Sequence, residues 1–295
     1  MLIKDGIIDV VLDTDTYNEA DDQYAIAYMV RHNERFNVLG LYAAPFFNKR
    51  VSSPEEGMER SFEEILTLLK LLHREDLNSI VYRGSADYLK SEKMPQESDA
   101  CDALIKLAME HDEENPLYVI GIACITNIAS AIIKRPEICN RIVVVWLGGH
   151  RLDWQDNKEF NLKQDIAAAR VVFESPAPLA LVPCNGVVSA FAISKPEVNE
   201  WFKGKGRLSD YLSDELIRTA EADYKVETWV KPIWDVTAVA FLLPGFTDSY
   251  EIEAPIPGYD NKWHFESGRR KITYVYNIRR NELMQDLRNI ITEEE

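Results

Sequence analysis

An apolar run that breaks into carboxylates limits what can be built around it. Residues 7–12 are apolar apart from Asp9, and the next ten residues hold Asp13, Asp15, Glu19, Asp21 and Asp22. From residue 22 onward an apolar pattern at helical spacing resumes. A buried strand, an acidic loop at its carboxyl end and a helix packing back on the sheet satisfy all three observations. In open α/β sheets that crevice is where ligands bind. Five carboxylates in one loop repel each other unless a cation joins them, and a hard, oxygen-seeking ion such as Ca²⁺ suits them. The plainer alternative is that acidic residues ahead of a helix satisfy its free N–H groups and its dipole.

The alternation continues along the chain. Phe36 to Ala44 is a second apolar run, expected as a parallel strand, and it delivers Asn48 just beyond its end. Apolar residues at helical spacing fill 54–73, opened by Ser53-Pro54 as cap and first-turn proline. A brief strand is expected at 80–82, a polar flap over 85–98 and a helix over 99–111. Strands are expected at 116–122, 142–147 and 179–182, with helices running to Lys134 and over 165–174 between them. This order predicts an α/β fold, a mainly parallel open sheet with helices on both faces. Beyond 183 the pattern loosens. It suggests an amphipathic helix over 197–223 broken near Gly204 and Gly206, and a buried helix over 235–243. β structure within 250–278 and a last helix over 281–291 follow. The final Glu run is expected to fray. No repeat, linker or composition shift divides the chain, so residues 1–295 are expected to form one domain.

Composition narrows the partners. The formal net charge is −16 and the pI near 4.8. Such a surface repels phosphate backbones, which argues against nucleic acid. No apolar run approaches the ~20 residues that span a bilayer, which argues against a membrane partner. The chain opens Met-Leu-Ile-Lys and runs into the first strand without a signal-peptide pattern. Cys101, Cys124, Cys139 and Cys184 are scattered, with no C-x-x-C pair, and read as reduced thiols of a cytoplasmic protein.

Taken together, the motifs resemble the inosine–uridine-preferring nucleoside hydrolase family, from about residue 7 to 245 and weakly beyond. The resemblance rests on Asp13-Thr14-Asp15 with Asp21-Asp22, on Gly121 to Thr126-Asn127, and on Gly148-Gly149. It rests further on Glu159-Phe160-Asn161, on Asp165 to Ala169, and on Asp235 opening a buried helix. It implies hydrolysis of the N-ribosidic bond of a nucleoside on a mainly parallel α/β fold, in a dimer or tetramer. Asp15, Asp22, Asp235 and the carbonyl of Thr126 would hold Ca²⁺, and Asp21 would be the general base toward water. Asp13 would orient the loop from behind, and Asn48, Glu159 and Asn161 would hydrogen-bond the ribose. Oxygen donors of this kind favour Ca²⁺ over zinc or copper.

Three departures from the family pattern matter. Thr16 to Ala20 lengthen the opening loop, so Asn18 or Glu19 reaches the metal or ribose, or the loop bulges outward. Trp234 stands where the family commonly has the histidine that serves as acid for the departing base. Tryptophan offers no such proton; it stacks on the base or packs in the core. Asp153 stands where an asparagine is expected before Glu159, with Asn157 as the other substitute. His150, His264, Tyr224 and Trp229 carry weaker signals. Two other functions compete. The run VVLDTDT also fits a haloacid-dehalogenase-like phosphatase, with Asp13 as nucleophile, although the later acidic pair and lysine of that family are missing. A non-catalytic ribosyl-binding relative would explain the missing histidine but not the retained Asp21.

Overall fold

The computed structural model describes residues 3–292. Its centre is an eight-stranded sheet built from β1 (Ile8–Thr14), β2 (Phe36–Ala43), β3 (Val81–Arg83), β4 (Leu117–Gly121), β5 (Ile142–Leu147) and β6 (Leu179–Val182), extended by two late strands. A short ribbon pairs β7 (Ala192–Ser194) with β8 (Val230–Pro232), and a second pairs β10 (Ile256–Pro257) with β11 (Trp263–His264). The late strands of the main sheet are β9 (Thr247–Glu253) and β12 (Lys271–Ile278). Strand order is β3-β2-β1-β4-β5-β6-β12-β9. All neighbours are parallel except β12 and β9. The chain leaves β1 for β2 on one side and returns to β4 on the other, so the crevice between β1 and β4 is the switch point of the sheet.

The strands bury both faces, and their side chains divide with a period of two. Val10 and Leu12 of β1 join one core while Val11 joins the other; Val143, Val145 and Leu147 of β5 oppose Ile142, Val144 and Trp146 in the same way. The first core is covered by α1 (Asp22–Arg31) and α2 (Pro54–Leu71). The second is covered by α3 (Asp99–Met109), α4 (Thr126–Lys134) and, after the short α5 (Phe160–Gln164), by α6 (Ile166–Glu174). Four later helices complete the first side: α7 (Lys195–Trp201), α8 (Arg207–Asp223), α9 (Val236–Ala240) and α10 (Arg280–Thr292).

The expected mainly parallel sheet with helices on both faces is the observed one, with shifted boundaries. β1 extends to Thr14, so Asp13 belongs to the strand. The helix expected over 197–223 is two, separated where Gly204 and Gly206 adopt positive φ. The helix expected over 235–243 is shorter, since regular turns end at Ala240. Segment 85–98 holds only a bridge between Ser91 and Met94, and Tyr88 ties it to α5 through a 2.6 Å bond to Gln164. The β structure of the tail is not a separate unit. β12 adds in parallel to β6 and turns the tail into sheet. The closing Glu run lies outside the described residues.

A polar network fastens α10 to α1. His32 bonds Glu34 through Nδ1 at 2.8 Å and Asp286 through Nε2 at 3.1 Å, and Tyr28 donates to the same Asp286 carboxylate. Burial alone would lower the His32 pKa, but its two carboxylate partners outweigh burial and raise it. The sign follows. A raised folded pKa gives stability that is complete below the ordinary histidine value and disappears as pH rises through the folded one. Asp286→Asn is therefore expected to lower the urea midpoint at pH 6 and to change it less at pH 9. Equal losses at both values would refute the ionic coupling.

Candidate active site

β1 carries its acidic residues past the sheet edge into the β1–β4 crevice. Asp13, Asp15, Asp21 and Asp22 are each almost completely buried, and Asp235 joins them from the start of α9. One carboxylate oxygen each from Asp21, Asp22 and Asp235 lies within 4.8 Å of the others. Asp21 and Asp235 occupy the N-cap positions of α1 and α9, yet neither makes a side-chain cap bond. Elsewhere the chain caps normally, through Ser53, Ser98 and Asp165. Two aspartates at helix starts leave the helix N–H groups and face each other, so helix capping does not account for this loop.

The electrostatic cost is visible in each group. Burial, and then the Asp21 charge, push Asp22 up to about 8. Burial, and then Glu19, push Asp21 up to about 6, while Lys231 pulls the other way. Asp15 and Asp235 are driven well above the usual carboxylate range by burial and by the neighbouring aspartates. Thr14 Oγ1 donates to Asp22 Oδ1 at 2.5 Å, but Asp15 Oδ2 has no hydrogen-bond partner among the described residues. A buried orphan oxygen beside three converging carboxylates fits a cation, which would satisfy the lone pairs and remove the repulsion. The donors are all oxygen, which suits a hard ion. Cys184 also lines the cavity, and burial and then Glu159 hold its thiol well above its usual pKa.

Asp15, Asp21, Asp22, Glu159, Asn161, Trp234 and Asp235 line one cavity. Asp13, Asn48 and Thr126 are not among the residues that line it. Asp13 Oδ1 accepts from Asn127 Nδ2 at 2.8 Å, and burial raises its pKa to about 7 despite that bond. Asn48 Nδ2 donates to Asn18 Oδ1 at 2.7 Å, and the Thr126 hydroxyl donates to Asp165 at 2.7 Å. Glu159 accepts backbone N–H bonds from Gly149, Asn161 and Leu162, and Asn161 Nδ2 donates to the carbonyls of Ile122 and Leu147. These two residues thus tie the ends of β4 and β5 together as well as lining the cavity.

The structure resolves several of the open alternatives. The lengthened loop folds inward: Asn18 and Glu19 both line the cavity, and Glu19 forms an ion pair with the buried Lys231. Asp153 pairs with Arg151 at the surface, whereas Asn157 is buried and accepts the His150 N–H at 2.7 Å. His150 lines the cavity; His264 pairs with Asp260 on the surface. Lys158, Lys163 and Asn185 line the cavity too, although no motif marked them. Asn185 follows a strand end, which was the one available signal.

Gly84 shows how tightly the back of the site is packed. A Cβ there would lie 2.0 Å from the Ala43 carbonyl oxygen and 2.5 Å from Asn127 Nδ2, the group that holds Asp13. Gly84→Ala is expected to destabilise the chain by about 1–3 kcal/mol through overpacking. Its urea unfolding midpoint measures this, and an unchanged midpoint would refute it.

Known proteins are similar to this chain in sequence and in fold. The sequence profile described as inosine-uridine preferring nucleoside hydrolase matches residues 10–275. The chain is 23% identical over 278 residues to the pyrimidine-specific ribonucleoside hydrolase RihA of Escherichia coli O1:K1 / APEC, covering 83% of this chain and 86% of that protein. In fold it is similar to a plant nucleoside hydrolase, the PpNRh1 enzyme, with a TM-score of 0.76 at 18% identity over 97% of this chain and 99% of that one. It is equally similar to a purine-preferring ribonucleoside hydrolase from Gardnerella vaginalis, with a TM-score of 0.76 at 18% identity over 96% and 98% of the two chains. The profile match spans the acidic loop, the crevice and the strand ends that wall it, and on that extent the chain belongs to the inosine-uridine preferring nucleoside hydrolase family and is an N-glycosyl hydrolase.

Proposed function

We propose that the chain hydrolyses the N-ribosidic bond of ribonucleosides in a Ca²⁺-dependent reaction, with Asp21 as general base. The observation that carries this reading is the convergence of Asp21, Asp22 and Asp235 beside the unpartnered Asp15 oxygen. Asp15, Asp22 and Asp235, with the Thr126 carbonyl, would hold the ion. When bound, Ca²⁺ would polarise the attacking water and draw in the ribose diol.

The chain's own residues do the rest. Asp21 makes no helix-cap bond, so its carboxylate is available to take a proton from water. Water adds to C1′, the bond to the base breaks, and its electron pair leaves with the base. Positive charge develops on the sugar as this happens, and the surrounding carboxylates stabilise it. Glu159 and Asn161 fix the wall against which the ribose lies, and Asn48 acts through Asn18. Trp234 is half-buried at the cavity and would stack on the base; its indole supplies no acid. Asp13 orients the loop from behind. The phosphatase reading needs Asp13 as an accessible nucleophile, but that side chain is buried, bonded to Asn127 and outside the cavity lining. The proposal extends to a single domain over residues 1–295, acting as a cytoplasmic homo-oligomer.

The test is ribose release, measured as reducing sugar, from a panel of purine and pyrimidine nucleosides. It is run with Ca²⁺, with chelator and with Asp21→Asn. Release that requires both the ion and Asp21 supports the proposal and identifies the base. Tight Ca²⁺ binding without release from any nucleoside would favour a ribosyl-binding protein instead.

A further inference from the structure

We propose that Asn18, in the lengthened loop, is the amide donor to a ribose hydroxyl beside the metal, and that Asn48 is the positioning residue that turns the Asn18 amide nitrogen toward the cavity. The inference rests on the proposed ribose and metal site. It gives Asn48 a different role from the direct ribose contact that the resemblance implies.

The hydrogen-bond chain that ends at Asn18 runs in one direction only. An asparagine amide has an oxygen that accepts and a nitrogen that donates. The Arg50 backbone N–H donates to Asn48 Oδ1 at 2.8 Å. A backbone N–H cannot accept, so this contact fixes which end of the Asn48 amide is the oxygen. Asn48 Nδ2 therefore faces the loop, where it donates to Asn18 Oδ1 at 2.7 Å. The same rule then applies to Asn18. Its oxygen is engaged by Asn48, and its nitrogen has no hydrogen-bond partner among the described residues. Asn18 lines the cavity, whereas Asn48 does not. The unengaged donor thus belongs to the residue that meets a ligand.

The chain on both sides of Asn18 is anchored. Its own backbone N–H donates to the Asp15 carbonyl at 2.7 Å, a turn that sets it close to a proposed ligand of the ion. Arg50 also reaches the loop with its side chain: Nη1 donates to the Tyr17 carbonyl and Nη2 to the Thr219 hydroxyl of α8, each at 3.2 Å. On the other side Glu19 is paired with the buried Lys231 of β8. What such a fixed donor does follows from its neighbours. Asp15, Glu19, Asp21, Asp22, Glu159 and Asp235 line the same cavity, and ionised carboxylates accept hydrogen bonds without donating any. A ribose hydroxyl brings one proton and two lone pairs. A carboxylate takes the proton and the ion takes one lone pair, so the second lone pair needs an N–H or O–H. The Asn18 amide supplies it from the same turn as Asp15, and it carries no charge that would oppose the ion.

The experiment measures KM, kcat and the equilibrium binding of ribose with Ca²⁺ saturating. The variants are Asn18→Ala, Asn48→Ala, Asn48→Asp, and each Asn48 substitution combined with Asn18→Ala. Asn18→Ala is expected to raise KM and the ribose Kd by about 3–10-fold, the size of one neutral hydrogen bond, with kcat and Ca²⁺ affinity retained. Asn48→Ala should raise both by less, because a released Asn18 amide still turns its nitrogen to the cavity part of the time. Asn48→Asp should raise them at least as much as Asn18→Ala. Its carboxylate accepts from both Arg50 and Asn18, and so turns the Asn18 oxygen toward the hydroxyl. In the Asn18→Ala background neither Asn48 substitution should cost anything further. Unchanged KM and ribose affinity in Asn18→Ala would overturn the proposal. So would Asn48 losses that are equal in both backgrounds, the result that a direct ribose contact or a merely structural role of Asn48 gives. Ribose binding separates this failure from that of the hydrolase reading. If no nucleoside releases ribose, that reading fails, while the ribose affinities of the same variants still decide the role of Asn18. An unmodified Ca²⁺-loaded chain that binds no ribose would overturn it.

Discussion

Asp21→Asn is expected to lower kcat for ribose release by about 10²–10⁴-fold, the range set by loss of a positioned general base, while Ca²⁺ still binds. The substitution keeps the shape of the side chain and removes its ability to accept a proton. Because Asp21 makes no cap bond, the change leaves α1 without a lost hydrogen bond. It also relieves repulsion, since the Asp21 charge, after burial, helps to raise the pKa values of Asp15, Asp22 and Asp235. The variant should therefore fold at least as stably as the parent and be nearly inactive, with KM little changed. Asp22→Asn should differ by losing Ca²⁺ affinity together with rate. Single-turnover rates and calcium titrations on both variants distinguish the roles, and an Asp21→Asn enzyme of normal kcat would remove Asp21 from the mechanism.

Ca²⁺ itself is expected to stabilise the fold substantially. At a free concentration one hundred times Kd, binding adds about 2.7 kcal/mol. For a chain of this size that is a rise in Tm of about 5 °C, taking ~2 °C per kcal/mol. The effect should depend on pH in a defined direction. In the metal-free chain Asp13, Asp21 and Asp22 have folded values of about 7, 6 and 8, each raised first by burial from an ordinary value of 3.8. The folded state thus binds more protons than the unfolded one between those limits, and stability falls as pH rises from about 4 to 8. A bound cation replaces the protons and flattens that fall. Melting curves across this range, with chelator and with Ca²⁺, should diverge as pH increases. Parallel curves, or a Tm indifferent to calcium, would contradict the metal site. Asp235→Asn should abolish the calcium-induced shift and also make the metal-free protein less sensitive to pH.

The buried strands were legible in the sequence because burial on both faces leaves near-continuous apolar runs such as Ile142 to Leu147. The end of β1 was legible as well, since five carboxylates crowded after such a run have few tolerable environments. Ser53-Pro54 marked the start of α2 because a cap and a first-turn proline are local signals. Less local features were not visible. β12 pairs with β6 across about ninety residues of chain, and no periodicity announces a partner so remote.

The sequence by itself determined that this chain would build a parallel sheet with an acidic crevice, and it located Asp15, Asp21, Asp22 and Asp235 as the groups to watch. Only the tertiary structure decided that Asp21 and Asp235 forgo helix capping to face Asp22, and that Asn18 and Glu19 fold into the cavity. It alone brought Lys158, Lys163 and Asn185 to the cavity wall. The physical reason is range. Strand burial and caps are fixed by neighbours in the chain, whereas the pairing or isolation of a charge depends on which distant segments the sheet brings within a few ångströms.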